Sequence, residues 1–158
     1  MAKTNKTIIR LDKVKATAHI ESIKFDGDLE NGMFVSLGKL ASDGEVRVAT
    51  APKDVEKDSI VIHASSPLMY NETLQEEDFI LVKGNTGRGY VLEVGDIYTI
   101  TDNGIDGATE VGKFVVPQAS NVKGKATQDL TNEKIALEVI AKETLAGYKA
   151  SVLRVIRA

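Results

Sequence analysis

The sequence predicts an all-β fold, a single β-barrel or β-sandwich domain with an extended N-terminal arm and little helix. Three observations lead there. Between residues 30 and 101 short apolar runs alternate with breaks built on Gly, Asp, Asn or Pro: ENGMFVSLGKLASDG, VRVATAPKDV, SIVIHASSPLMYNE, then RGYVLEVGDIYTITDNG. Runs of about 4–8 residues rich in Val, Ile, Tyr and Phe, closed at regular spacing by turn residues, are the sequence form of a sandwich or barrel. The length of 158 residues, with 42% apolar and 27% charged residues, suits one domain with a real core and excludes wholesale disorder. Finally, Trp is absent and aromatics are few, so Val, Ile and Leu must supply that core.

The chain divides into a basic arm over residues 1–15 and a β-rich domain over residues 16–158. Lys3, Lys6, Arg10, Lys13 and Lys15 face only Asp12 in the arm, a net charge of +4 that leaves −7 for the remainder. A basic extension on an acidic body suits contact with a neighbouring subunit or an acidic partner surface, the alternative being a solvated terminus.

Residues 16–25 (ATAHIESIKF) can lie as a strand, with apolar residues on both faces. The break over 26–32 ends in Asn31-Gly32, a strong turn signal. Met33, Val35 and Leu37 then fall in strand phase, and Ser42-Asp43-Gly44 closes the segment. Residues 45–51 alternate Val46, Val48 and Thr50 with Arg47 and Ala49 until Pro52 forces a loop or an edge. Residues 59–64 (SIVIHA) are dense enough in β-branched side chains for a buried strand. The acid-rich stretch 65–79 is the one central place for a short helix or long surface loop. Residues 84–89 (GNTGRG) lead into a predicted hairpin of 90–94 and 97–101 around Gly95-Asp96.

Residues 102–107 read as a loop, 112–117 (GKFVVP) as a strand, and 118–131 as an exposed connection. The last segment is ambiguous. Residues 132–145 are rich in helix formers, yet at period two Ile135, Leu137, Val139 and Ala141 share a face. A strand reading also makes Ala146-Gly147 the turn into 148–156, so a long closing hairpin is favoured.

The search for chemistry yields no catalytic, cofactor-binding or metal residues, and the expectation is a protein that is not an enzyme and needs no cofactor. GNTGRG lacks the Lys-Ser/Thr of a P-loop, does not match GxGxxG, and precedes a strand where an anion site wants a helix. Asp26, Asp28 and Glu30 resemble the start of a calcium loop, but Asn31 stands where Gly is needed and Leu37 where Glu is needed. The segment 102–107 fails similarly at Lys113. His19 and His63 form no zinc motif, and His63 reads as a strand residue meeting another element. No GxSxG surrounds any Ser, and Ser65-Ser66-Pro67 looks like a strand end. Zero Cys removes thiolate chemistry and, with no apolar h-region at the N-terminus, suits synthesis in a cytoplasm. The sequons at Asn5 and Asn71 then carry no glycosylation meaning. No run approaches the ~18 apolar residues of a membrane span. An acidic body without aromatics interleaved among cations disfavours nucleic acid.

The strings ENGMFVSLGKL, VRVATAPKDV, VIHASSPLMYNE and RGYVLEVGDIYTIT resemble small structural proteins of tailed phages, the head decoration or auxiliary capsid (cement) proteins. The resemblance covers about half the chain and rests on Asn31-Gly32, the Ala49–Pro52 break, residues 69–72 (MYNE) and Gly95-Asp96. It implies a virion protein made in the host cytoplasm that binds the outside of the major capsid protein lattice, as a homo-oligomer such as a trimer, with its arm on the capsid subunits. The contact candidates are then Lys3, Lys6, Ile8, Ile9, Arg10, Leu11, Lys13, Val14 and Lys15, the apolar ones adding to a sheet edge by β-augmentation while the cations meet capsid acids. Two other readings stay open: another phage structural subunit of the tail tube or head completion, and, well behind, a small carbohydrate-binding or hydrolase domain.

Overall fold

A computed structural model describes residues 6–67 and 75–158, and they form an all-β protein. Barrel and sheet are both present. A closed five-stranded barrel consists of β2 (Ile20–Phe25), β3 (Phe34–Leu40), β4 (Arg47–Thr50), β5 (Ile60–His63) and β6 (Thr86–Val91), in the order β2-β4-β3-β5-β6. Beside it lies a seven-stranded sheet of β1 (Ile9–Lys13), β7 (Ile97–Thr101), β8 (Ile105–Asp106), β9 (Phe114–Gln118), β10 (Asn121–Thr127), β11 (Ala136–Leu145) and β12 (Tyr148–Arg157), in the order β1-β7-β12-β11-β9-β10-β8. Pairing is antiparallel except for β2 with β4 and β8 with β10.

Strand alternation explains how the two layers share one core. In β5 the side chains of Ile60 and Ile62 belong to the large cluster that includes Tyr98, Val115, Leu137 and Leu153 of the sheet, while Val61 belongs to a second cluster with Ile23, Val35 and Ala49 inside the barrel. Phe34 and Tyr90 likewise join the cluster that includes the sheet residues. A strand buried on both faces favours apolar residues at successive positions, so Ile60, Val61 and Ile62 form an unbroken run, and the buried His63 that follows is hydrogen-bonded at both ring nitrogens.

The glycines of GNTGRG belong to this barrel. Most of that segment is strand β6, and Gly87 and Gly89 are buried. A Cβ on Gly89 would stand 2.6 Å from Val61 Cγ2, and one on Gly87 would stand 2.6 Å from Leu81 Cδ2. A five-stranded barrel has too little interior for side chains from all its strands, and β6 supplies the bare positions.

Several sequence expectations need correction. Residues 6–13 are not a separate arm: Ile8 and Ile9 are 2% and 8% exposed, and β1 pairs with β7 from Ile9↔Ile100 to Lys13↔Ile97. The boundary at residue 15 therefore does not follow the packing. The hairpin of 90–94 and 97–101 does not form, because β6 closes the barrel on β2 and β5 while β7 lies between β1 and β12; the Gly95-Asp96 turn is where the chain crosses from barrel to sheet. Residues 121–127 are a strand next to the sheet's edge, where a half-exposed position tolerates the polar sequence NVKGKAT. Gly124 is needed there, since its Cβ would sit 2.9 Å from Phe34 Cε2. The loop over 102–107 contains a 3-10 turn, Asp102–Gly104, and β8. In the acid-rich stretch the described helix is one 3-10 turn, Glu76–Asp78, and residues 68–74 lie outside the described residues.

The closing hairpin forms as expected, β11 pairing with β12 from Ala136↔Arg157 to Leu145↔Tyr148. Its tip puts Ala146 at φ 52° and Gly147 at φ 85°, the paired left-handed conformation of a tight hairpin turn. No described helix is long and apolar enough to cross a membrane.

Candidate functional site

Three regions concentrate exposed or chemically arranged side chains: the β1 edge, the mouth of the barrel around His63, and a polar group on the closing hairpin around Lys142.

At the edge, the sequence-predicted contact residues split by strand phase and by ion pairing. Lys3 lies outside the described residues. Lys6 is half-buried and its backbone N–H donates to the Glu77 carbonyl at 2.7 Å. Ile8 donates its N–H to Thr101 Oγ1 at 3.0 Å and accepts from the Thr101 N–H, and Ile9 joins the main core, so these two side chains face inward and cannot add to a partner. Arg10 forms a two-pronged pair with Glu76, its second contact being Nη2 to Oε2 at 2.6 Å; the hydrogen bond and charge of Glu76 raise its pKa. Val14 packs partly against the core.

The outward-facing remainder is small. Leu11 is 39% exposed, Lys13 is exposed, and Lys15 reaches Glu93 Oε2 at 3.0 Å. Lys13, Val14 and Lys15 meet Val94, Gly95 and Asp96 of the crossover turn around a shallow depression of about 380 Å³, and Val94 is 66% exposed beside it. The nearness of Val94 could not be read from sequence, because it depends on the crossover. β1 terminates the described sheet on this side.

At the barrel mouth, β5 delivers His63 into the interior, where it is fully buried. Its Nδ1 lies 2.7 Å from the Glu30 carbonyl oxygen and its Nε2 2.7 Å from Ser65 Oγ. A carbonyl can only accept, so Nδ1 carries the hydrogen and Nε2 accepts from the Ser65 hydroxyl. Burial pushes the His63 pKa down to about 4 against the opposing hydrogen bond to Glu30, and the ring is neutral at pH 7. Asn31 locks the same corner: its Nδ2 donates to the Ser65 carbonyl and its Oδ1 accepts from the Ser65 N–H, both at 2.9 Å. Glu30 in turn accepts from the Thr7 N–H at 2.7 Å, tying the lead-in to β1 onto the barrel mouth. The Asn31-Gly32 pair, expected only as a turn, is thus the clamp between strands.

A third polar group lies at the far end of the closing hairpin. Lys142 Nζ contacts Asp102 Oδ2 at 2.6 Å, Thr109 Oγ1 at 2.6 Å and Ser151 Oγ at 2.8 Å. Partial burial works to raise the Asp102 pKa, but the hydrogen bonds of Lys142 and Ser151 and the Lys142 charge prevail and lower it, as expected of a closed ion pair joining β7 to the hairpin. Among the described residues no group of three or more His, Asp or Glu is placed to hold a metal ion. No protein-family model matches the chain, and no curated protein is detectably similar to it.

Proposed function

We propose that this protein is a head decoration protein of a tailed phage, binding the outer surface of the major capsid protein lattice and stabilising the head as a homo-oligomer. The reading comes from the resemblance over residues 30–101, and the observation that supports it best is the position of β1. The basic segment forms the terminal strand of a broad sheet, with Leu11 and Lys13 exposed and Lys15 and Val94 close by. A sheet edge offers main-chain hydrogen bonds to an extended partner segment, and the lysines suit acidic neighbours. The contact set thereby narrows to Leu11, Lys13, Lys15 and Val94, with Ile8 and Ile9 holding the strand in place.

Such a protein stabilises a shell by adding interface at many equivalent lattice points, through mass action rather than chemistry. Cosedimentation with empty capsids of the phage that encodes it tests the proposal. Removing residues 1–15 would take Ile8 and Ile9 out of the core, so surface changes are the sound perturbation. Leu11→Asp with Lys13→Glu should weaken capsid binding by about tenfold or more while leaving the fold intact. Full-length protein that never binds those capsids, or that assembles by itself into tubes or rings, would remove the proposal in favour of a tail or head-completion role.

A further inference from the structure

We propose that Ser65 is a nucleophilic serine, with His63 as its general base, in a cleft that accepts small carboxylic esters. Nothing in capsid binding requires it, and it stands independently of that role. Residues 63 and 65 are two apart at the end of β5, a spacing that sends both side chains to the same side. The Ser65 hydroxyl donates to His63 Nε2 at 2.7 Å, and the Glu30 carbonyl, 2.7 Å from Nδ1, holds the ring in the tautomer that leaves Nε2 free to accept. Nucleophile, base and orienting group in this relation are the general arrangement of an activated serine.

Three further features fit. The Arg88 backbone N–H donates to Ser65 Oγ at 3.1 Å, which fixes the hydroxyl oxygen with its hydrogen directed to His63. Gly87 leaves the pair uncrowded, since a Cβ there would lie 2.9 Å from Ser65 Oγ and 3.0 Å from His63 Nε2. The base is fully buried while Ser65 is half-buried and lines a cleft of about 510 Å³. Phe79 and Leu81 give that cleft an apolar wall, and Asn85 and the exposed Arg88 give it a polar, cationic rim suited to an ester with an anionic group.

The step balances within the site. Ser65 Oγ bonds to the acyl carbon as its proton passes to His63 Nε2. The ester C–O bond then breaks, and the departing alkoxide takes that proton. Water, giving a proton to Nε2, attacks the acyl-serine and releases the acid, restoring both residues. Because burial keeps His63 neutral down to about pH 4, the rate should be level from about pH 5 to 8, and the weak base makes turnover slow.

The test treats the full chain with a fluorophosphonate probe, in which Ser65 Oγ displaces fluoride at phosphorus, and with p-nitrophenyl acetate. The expected result is a probe adduct mapped to Ser65 by peptide mass spectrometry, and p-nitrophenolate release that falls about a hundredfold in Ser65→Ala. Ser66→Ala, at the exposed neighbouring hydroxyl, should keep both signals. An unlabelled Ser65 in the folded protein, equal labelling of Ser66, release that survives Ser65→Ala, or a rate that titrates near pH 6.5 would each overturn the proposal.

Discussion

Acidification below pH 6.5 should destabilise this protein through His63. The ring is fully buried, and its pKa is about 4 in the folded chain against 6.5 for an exposed histidine. Between those values the unfolded chain binds a proton that the folded chain does not, so stability rises with pH across this window. It is fully present above pH 6.5 and is lost as pH falls toward 4. At about 1.4 kcal/mol per pH unit, the full loss is about 3 kcal/mol, of which about 2 kcal/mol is gone by pH 5. Urea unfolding at pH 7.5, 6, 5 and 4.5 measures the slope directly, and His63→Gln serves as the reference because only the slope is compared. Equal stability at pH 7.5 and pH 5, or the same slope in His63→Gln, would refute the buried neutral imidazole.

Other perturbations follow from the same geometry. Gly89→Ala forces a methyl to within 2.6 Å of the stiff Val61 side chain inside the barrel and should cost about 1–3 kcal/mol in urea unfolding. Ala146→Gly relieves a non-glycine residue at φ 52° in the closing hairpin, and thermal unfolding should show a gain of about 1 kcal/mol. Asn31→Asp turns a donor into an acceptor facing the Ser65 carbonyl at a buried site, with an expected loss of about 1–3 kcal/mol at pH 7 by urea unfolding.

Strand existence was legible where one rule governs both sequence and structure. Alternation and β-branching mark β3, β4 and β5, and the Ala146-Gly147 turn marks the closing hairpin. Layer membership was not legible. A short turn such as Gly95-Asp96 joins strands of one hairpin in most contexts, and nothing local states that β6 is already saturated by β2 and β5. The β1 strand was masked by its cations: Arg10 and Lys13, flanked by Lys6 and Lys15, dominate the composition, while Ile8 and Ile9 carry the burial. β10 was masked by its place next to an edge, where Gly124 gives way to Phe34 instead of packing a side chain of its own. The barrel-mouth cluster was legible only as separate residues, since Glu30, Asn31, His63, Ser65 and Arg88 come together through strand pairing across 58 positions of chain.

A cryo-electron microscopy map of the phage particle tests the proposed role most directly. The expected map places this fold on the outer surface of the head, with β1 and the Lys13, Lys15 and Val94 corner against the capsid lattice. Density for the chain in the tail, or a head-bound copy whose β1 edge points away from the capsid, would contradict it.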